Sequence, residues 1–158
     1  MKLSDVALSR LPIAPGPCGT SEPVKYSDAG PTRVRMAGGG EVLLSLSDKR
    51  FGDLDGDGND EMAIRVACSY EGGNLVFGIA FLVYASAGPD VRQIGLVDVQ
   101  EDQETERRGR VEQVVFKPGE LVTEERWYAP EDANCCPTIY MSTTWKLERE
   151  RLVSQPGR

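Results

Sequence analysis

Apolar and polar positions fall in short blocks along most of this chain, and the blocks carry the two-residue period of β-strands. Residues 61–69 (EMAIRVACS) alternate, which sets Met62, Ile64, Val66 and Cys68 on one face. Residues 75–85 (LVFGIAFLVYA) are apolar almost throughout and predict a long central strand. The Gly72-Gly73 pair just before them predicts a hairpin with the preceding strand. Further strands are predicted over 41–47, 91–99, 110–117, 120–128, 138–147 and 151–153. Turn signals separate them, notably Ala87-Gly88-Pro89-Asp90 and Pro118-Gly119. With about seven strands at short spacing, the expected class is all-β and mostly antiparallel, as a curved sheet, sandwich or open barrel.

The first part of the chain breaks this pattern. Ser4 can cap a short helix over 5–10, with Asp5 in its first turn. Pro12, Pro15 and Pro17 then forbid regular helix or central strand, so residues 11–31 read as an irregular arm, pinned by Cys18. One domain is expected over 1–158, with a helix and proline-rich arm at 1–31 and a β-domain at 41–158. A chain of 158 residues buries roughly two thirds of its unfolded surface, enough for its own core. Tyr84, Phe77, Phe81, Trp127 and Trp145 are assigned to that core.

Charge and composition narrow the function classes. The formal charge is −7, from 25 acids and 18 bases, which disfavours a nucleic-acid partner. The one short basic cluster, Arg107, Arg108 and Arg110, reads as a solvated turn between strands. The longest apolar run has about half the length of a membrane-spanning helix. Histidine is absent, which removes the commonest general base and makes a Ser-His-Asp or Cys-His site impossible. No catalytic residue is assigned, and the chain is read as a binding rather than an enzymatic protein.

Four cysteines, Cys18, Cys68, Cys135 and Cys136, show no Cys-x-x-Cys spacing, so zinc-ribbon and thioredoxin readings fail. The even count fits two disulfides in an oxidising compartment. In an extended segment Cys135 and Cys136 point opposite ways, which favours pairing each with Cys18 or Cys68 in one of two schemes. A strained bridge between the two neighbours, or four buried thiols, are the alternatives. The N-terminus lacks the apolar core of a signal peptide. The expectation is an extracytoplasmic bacterial protein, secreted or lipid-anchored, whose export signal or anchor is not in this sequence.

One segment carries sharp chemistry: residues 53–61, DLDGDGNDE. Calcium takes six to eight oxygens. Asp53, Asp55 and Asp57 alternate and present three carboxylates to one point, while Gly56 and Gly58 let the backbone bend around an ion. Asn59 stands seventh and offers its backbone carbonyl; Glu61 stands ninth and offers a carboxylate, directly or through water. The twelfth position, a bidentate Glu in an EF-hand, is Ile64 within a predicted strand. A loop between two strands is therefore expected, with Ca2+ as its cofactor and magnesium second.

Residues 51–66 (FGDLDGDGNDEMAIRV) resemble the calcium loop of FG-GAP/VCBS repeats, which form blades of β-propellers. That resemblance implies ligands at Asp53, Asp55, Asp57, the Asn59 carbonyl and Glu61. A single copy does not build a propeller. The order of loop, strand ending in Cys68, hairpin, residues 130–138 (PEDANCCPT) and a strand with Trp145 is similar to secreted or lipid-anchored bacterial proteins of the LppP/LprE type. It implies an uncharacterised envelope protein and supplies no catalytic residues.

The expected function is an exported β-domain with one structural calcium loop that binds a cell-envelope protein or glycan. The alternative is a carboxylate-based enzyme on an envelope polysaccharide, although Glu124-Glu125 and Glu131-Asp132 read as ordinary surface acids. A cleft lined by two carboxylates away from the loop would favour the enzyme. An exposed apolar or aromatic patch would favour binding.

Overall fold

A computed structural model describes residues 2–20, 22–36, 38–71, 75–99 and 108–156. The chain is all-β; the described residues form three antiparallel sheets and no helix beyond short 3-10 turns. Two small strands in the arm, β1 (Ala14–Pro15) and β2 (Pro23–Val24), pair with each other. β3 (Thr32–Arg35), β4 (Glu41–Gly52), β5 (Glu61–Tyr70), β6 (Val76–Ala87) and β7 (Asp90–Val97) form a five-stranded meander in sequence order. β8 (Arg110–Lys117), β9 (Glu120–Trp127), β10 (Ile139–Glu148) and β11 (Arg151–Ser154) form a second meander.

The middle of the five-stranded sheet is covered on both sides, and this explains its sequence. Successive side chains on a strand point to opposite faces. Met62, Ile64, Val66 and Cys68 of β5 and Ala80, Leu82 and Tyr84 of β6 face the arm, whose Leu3, Val6, Leu11, Cys18, Val24 and Tyr26 complete one core cluster. Ala63 of β5 and Phe81, Val83 and Ala85 of β6 face the second sheet, where Val111, Val114, Leu121, Trp145 and Leu152 complete another. A strand with two dry faces needs apolar residues at every position, hence the unbroken run in β6.

Close approach joins the two sheets. A Cβ on Gly52, the last residue of β4, would lie 2.4 Å from the Phe116 Cβ on β8. Only a residue with no side chain fits there.

The N-terminal helix expected over 5–10 is replaced by two three-residue 3-10 turns, Leu3–Asp5 and Leu8–Arg10. Ser4 makes no cap; its hydroxyl lies 3.4 Å from the Asp5 carboxylate. Val6 and Leu11 instead take extended backbone, which lays Leu3, Val6 and Leu11 onto the sheet. The expected Gly72-Gly73 hairpin lies outside the described residues. The aromatic assignment holds most clearly for Tyr84, Phe81 and Trp145, at 0%, 2% and 4% exposure.

The cysteine pairing expected from strand geometry is overturned. Cys18 joins Cys68, and Cys135 joins Cys136. The two neighbours lie in a loop rather than an extended strand, so the opposed directions assumed for them do not apply. Cys18 and Cys68 are buried together beneath the arm.

Candidate metal centre

The acidic loop joins β4 to β5 and begins where the two strands part, at the Gly52–Glu61 pair. The carboxylates of Asp53, Asp55 and Glu61 converge, with one oxygen from each within 4.8 Å of the others. Gly56 and Gly58 have φ of 78° and 87°, left-handed values that a β-carbon would strain, and they turn the chain around this point. Backbone amides hold the loop in shape. Asp53 accepts from Gly56 N at 2.8 Å and Gly58 N at 2.9 Å, and Asp55 accepts from Asp57 N at 3.0 Å.

Asp57 stands outside the convergent triad. The Asp57 carboxylate accepts from the Asn59 amide at 2.8 Å, and this bond lowers its pKa below the ordinary value. Asp55 is raised, first by desolvation and further by the charges of Asp57 and Asp53. Glu61 is raised mainly by burial, with the charges of Asp55, Asp57 and Asp53 adding to it. Three carboxylates this close repel one another unless a cation neutralises them. The donor set is all oxygen, which suits a hard metal ion. Asp53, Asp55 and Glu61 can thus hold a metal.

Leu54, which sequence reading passed over, ties this loop to the rest of the molecule. Its side chain is 1% exposed and packs in the core between the sheets. Its amide donates to Glu61 Oε2 at 2.5 Å, and its carbonyl accepts from Gly119 N in the β8–β9 turn at 3.1 Å. An apolar residue inside an acidic loop was the available signal.

Other acids and bases are placed differently from expectation. Glu125, read as a surface acid, is 2% exposed. It accepts from Thr123 Oγ1 (2.7 Å), Thr143 Oγ1 (2.6 Å) and Trp127 Nε1 (3.1 Å). Position explains this: it shares the inward face of β9 with Leu121 and Thr123. Of the basic cluster, Arg107 lies outside the described residues. Arg108 pairs with buried Asp98, and Arg110 donates to Tyr128 Oη at 2.8 Å. Neither described arginine is simply a solvated turn residue.

A cleft of about 800 Å³ opens over the second sheet, lined among others by Arg110, Glu112, Glu124, Arg126, Tyr140 and the Cys135–Cys136 bridge. It lies near the Arg110–Arg126 pair, whereas the metal loop touches the Lys117–Glu120 end of the same strands. Six residues along β9 separate those ends, roughly 20 Å.

No protein-family model, curated protein or solved structure matches this chain. Among the described residues no helix is long and apolar enough to cross a membrane.

Proposed function

We propose that this chain is an exported β-domain braced by one structural calcium ion, which acts by binding at the bacterial cell envelope. The observation that carries the reading is the convergence of Asp53, Asp55 and Glu61 on a loop wired into both sheets through Leu54. Calcium is favoured over magnesium because a glycine-hinged loop of carboxylates and carbonyls tolerates its larger, irregular shell. Asp57 and the Asn59 carbonyl are the further ligands, as in the FG-GAP/VCBS loops that the segment resembles. An ion here would hold the start of β5 against the β8–β9 turn, a bracing rather than a switching role. Two disulfides support an oxidising, extracytoplasmic location, since such bonds persist there.

Binding is favoured over catalysis by the cleft. It carries Glu112 and Glu124, two carboxylates away from the metal loop, as the enzymatic alternative requires. Glu112 and Glu124 are exposed, whereas the acid of a glycosidase sits in a dry pocket; the third lining carboxylate, Glu125, is buried but already accepts from Thr123, Trp127 and Thr143. Exposed apolar groups also lie there: Tyr140 and Met141 are 71% and 41% exposed.

Thermal melts test the calcium brace. Calcium at about a hundred times its dissociation constant should add roughly 2.7 kcal/mol, a rise of several degrees, and EDTA should reverse it. Asp55→Ala should abolish the response. Identical melts of demetallated and calcium-loaded protein would overturn the reading, as would an undiminished shift in the variant.

A further inference from the structure

The Cys135–Cys136 bridge has no evident role in holding the fold. A disulfide stabilises chiefly by closing a loop in the unfolded chain, and this one joins adjacent residues. Both cysteines are exposed, in contrast to Cys18 and Cys68. Yet the surrounding loop is firmly built. Asp132 accepts from Ala129 N (2.7 Å), Thr138 N (2.9 Å) and Thr138 Oγ1 (2.9 Å). Cys136 N donates to Ala133 O at 2.9 Å, and Tyr128 Oη donates to Asn134 O at 2.5 Å. Arg110 in turn donates to Tyr128 Oη, which joins this loop to β8. The whole arrangement presents a compact, polarisable pair of sulfurs to the cleft.

The rest of the lining specifies what could lie against it. Tyr140 offers an exposed ring whose other surroundings are organised by Arg126, with its guanidinium carbon 3.8 Å from the ring centroid. Arg110 and Arg126 face the exposed Glu112 and Glu124, with the buried, hydrogen-bonded Glu125 behind them, so the cleft carries both signs of charge with a single acid in excess on a chain of charge −7. Gln113 and Ser142 add groups that both donate and accept. Such a lining lacks the one-signed charge that selects polyanions or polycations. It matches a neutral ligand with flat apolar faces and many hydroxyls. The volume falls within the range of small-ligand sites.

We infer that this cleft is a binding site for a neutral oligosaccharide, with Tyr140 and the Cys135–Cys136 bridge as stacking surfaces and the Arg and Glu side chains as hydroxyl partners. The inference rests on the binding reading above and names its site, and it is independent of calcium. The peptide alternative would use a sheet edge, where unpaired backbone groups lie, rather than this face.

The test is an amide-resolved NMR titration of the intact, calcium-loaded, oxidised protein. The probes are neutral tetrasaccharides: β-1,4-linked N-acetylglucosamine, β-1,4-linked glucose and α-1,4-linked glucose. At least one should shift the amides of Arg126, Tyr140, Ser142 and the cysteine pair. Tyr140→Ala and the double variant Cys135→Ser/Cys136→Ser should each weaken that binding about tenfold, with melting unchanged because neither site is in a core. Shifts confined to other residues would overturn the assigned site while sparing a binding function. A panel that moves no amide at millimolar concentration would overturn the ligand class. So would preferential binding of a sulfated oligosaccharide or an extended peptide included as controls. Cleavage of a bound probe, lost in Glu124→Gln, would overturn the binding reading itself in favour of an enzyme.

Discussion

The Tyr84 side chain is fully buried on the arm-facing side of β6, and its hydroxyl has no hydrogen-bond partner among the described residues. Burial pushes its pKa far above the ordinary tyrosine value, with Tyr26 adding to the shift, so the hydroxyl stays protonated as an orphan donor. A buried donor without a partner costs about 1–3 kcal/mol. Tyr84→Phe keeps the ring and should raise stability by about 1 kcal/mol, read as a higher urea midpoint with an unchanged slope; a lower midpoint would mean that the hydroxyl is satisfied in solution. Asp98 poses the opposite problem. It is 7% exposed and paired with Arg108, and burial raises its pKa while the arginine opposes that rise. The folded chain then holds this proton more tightly than the unfolded one. The resulting stability is complete below about pH 4 and is lost as pH rises through the raised pKa. Asp98→Asn should remove that component, so wild-type stability relative to the variant should decline across the window above pH 4. Parallel pH profiles would refute it. Glu125 shows what parity along a strand reveals: it alternates with Leu121 and Thr123, a signal obscured by its exposed neighbour Glu124.

Elements with a clear period and a defined turn were legible in the sequence, and those shaped by distant contacts were not. β8 spans 110–117 as expected, and the Pro118-Gly119 turn follows it with Gly119 at a φ of 79°. β4 runs beyond the expected 41–47 to Gly52. A bulge at Asp48, with φ 49°, lets its polar second half stay paired with β5. β1, β2 and β3 escaped notice because prolines and short length mask a strand pattern. The helix at 5–10 failed because local capping chemistry yielded to burial of Leu3, Val6 and Leu11 on the sheet. The junction between sheets is the place where one methyl group should matter most. Gly52→Ala would drive its Cβ into Phe116, next to the metal loop. Overpacking of this kind costs about 1–3 kcal/mol. The melting temperature should fall accordingly, and Gly52→Ala should cost less in a Phe116→Gly background, which removes the Cβ and ring it meets. Additive losses would place the strain elsewhere.

At the scale of the molecule, the metal loop was legible because its ligands are contiguous in sequence, and the cleft was not because β8, β9, β10 and a loop assemble it. The cysteines show the same division. Their number implied two bridges, but only the fold shows that one spans the molecule and the other spans a single peptide. Cys18–Cys68 crosses 50 residues and ties the arm to the central strand β5. Closing a loop of that length contributes about 4 kcal/mol, whereas the Cys135–Cys136 bridge closes no loop of consequence. Cys18→Ala/Cys68→Ala should therefore lower the unfolding free energy by about 4 kcal/mol and loosen the arm, seen as faster amide exchange at Leu3, Val6 and Leu11. Cys135→Ser/Cys136→Ser should change stability by less than about 0.5 kcal/mol. Equal losses from the two double variants would show that the exposed bridge is structural after all, and would remove the reason for assigning it to the cleft.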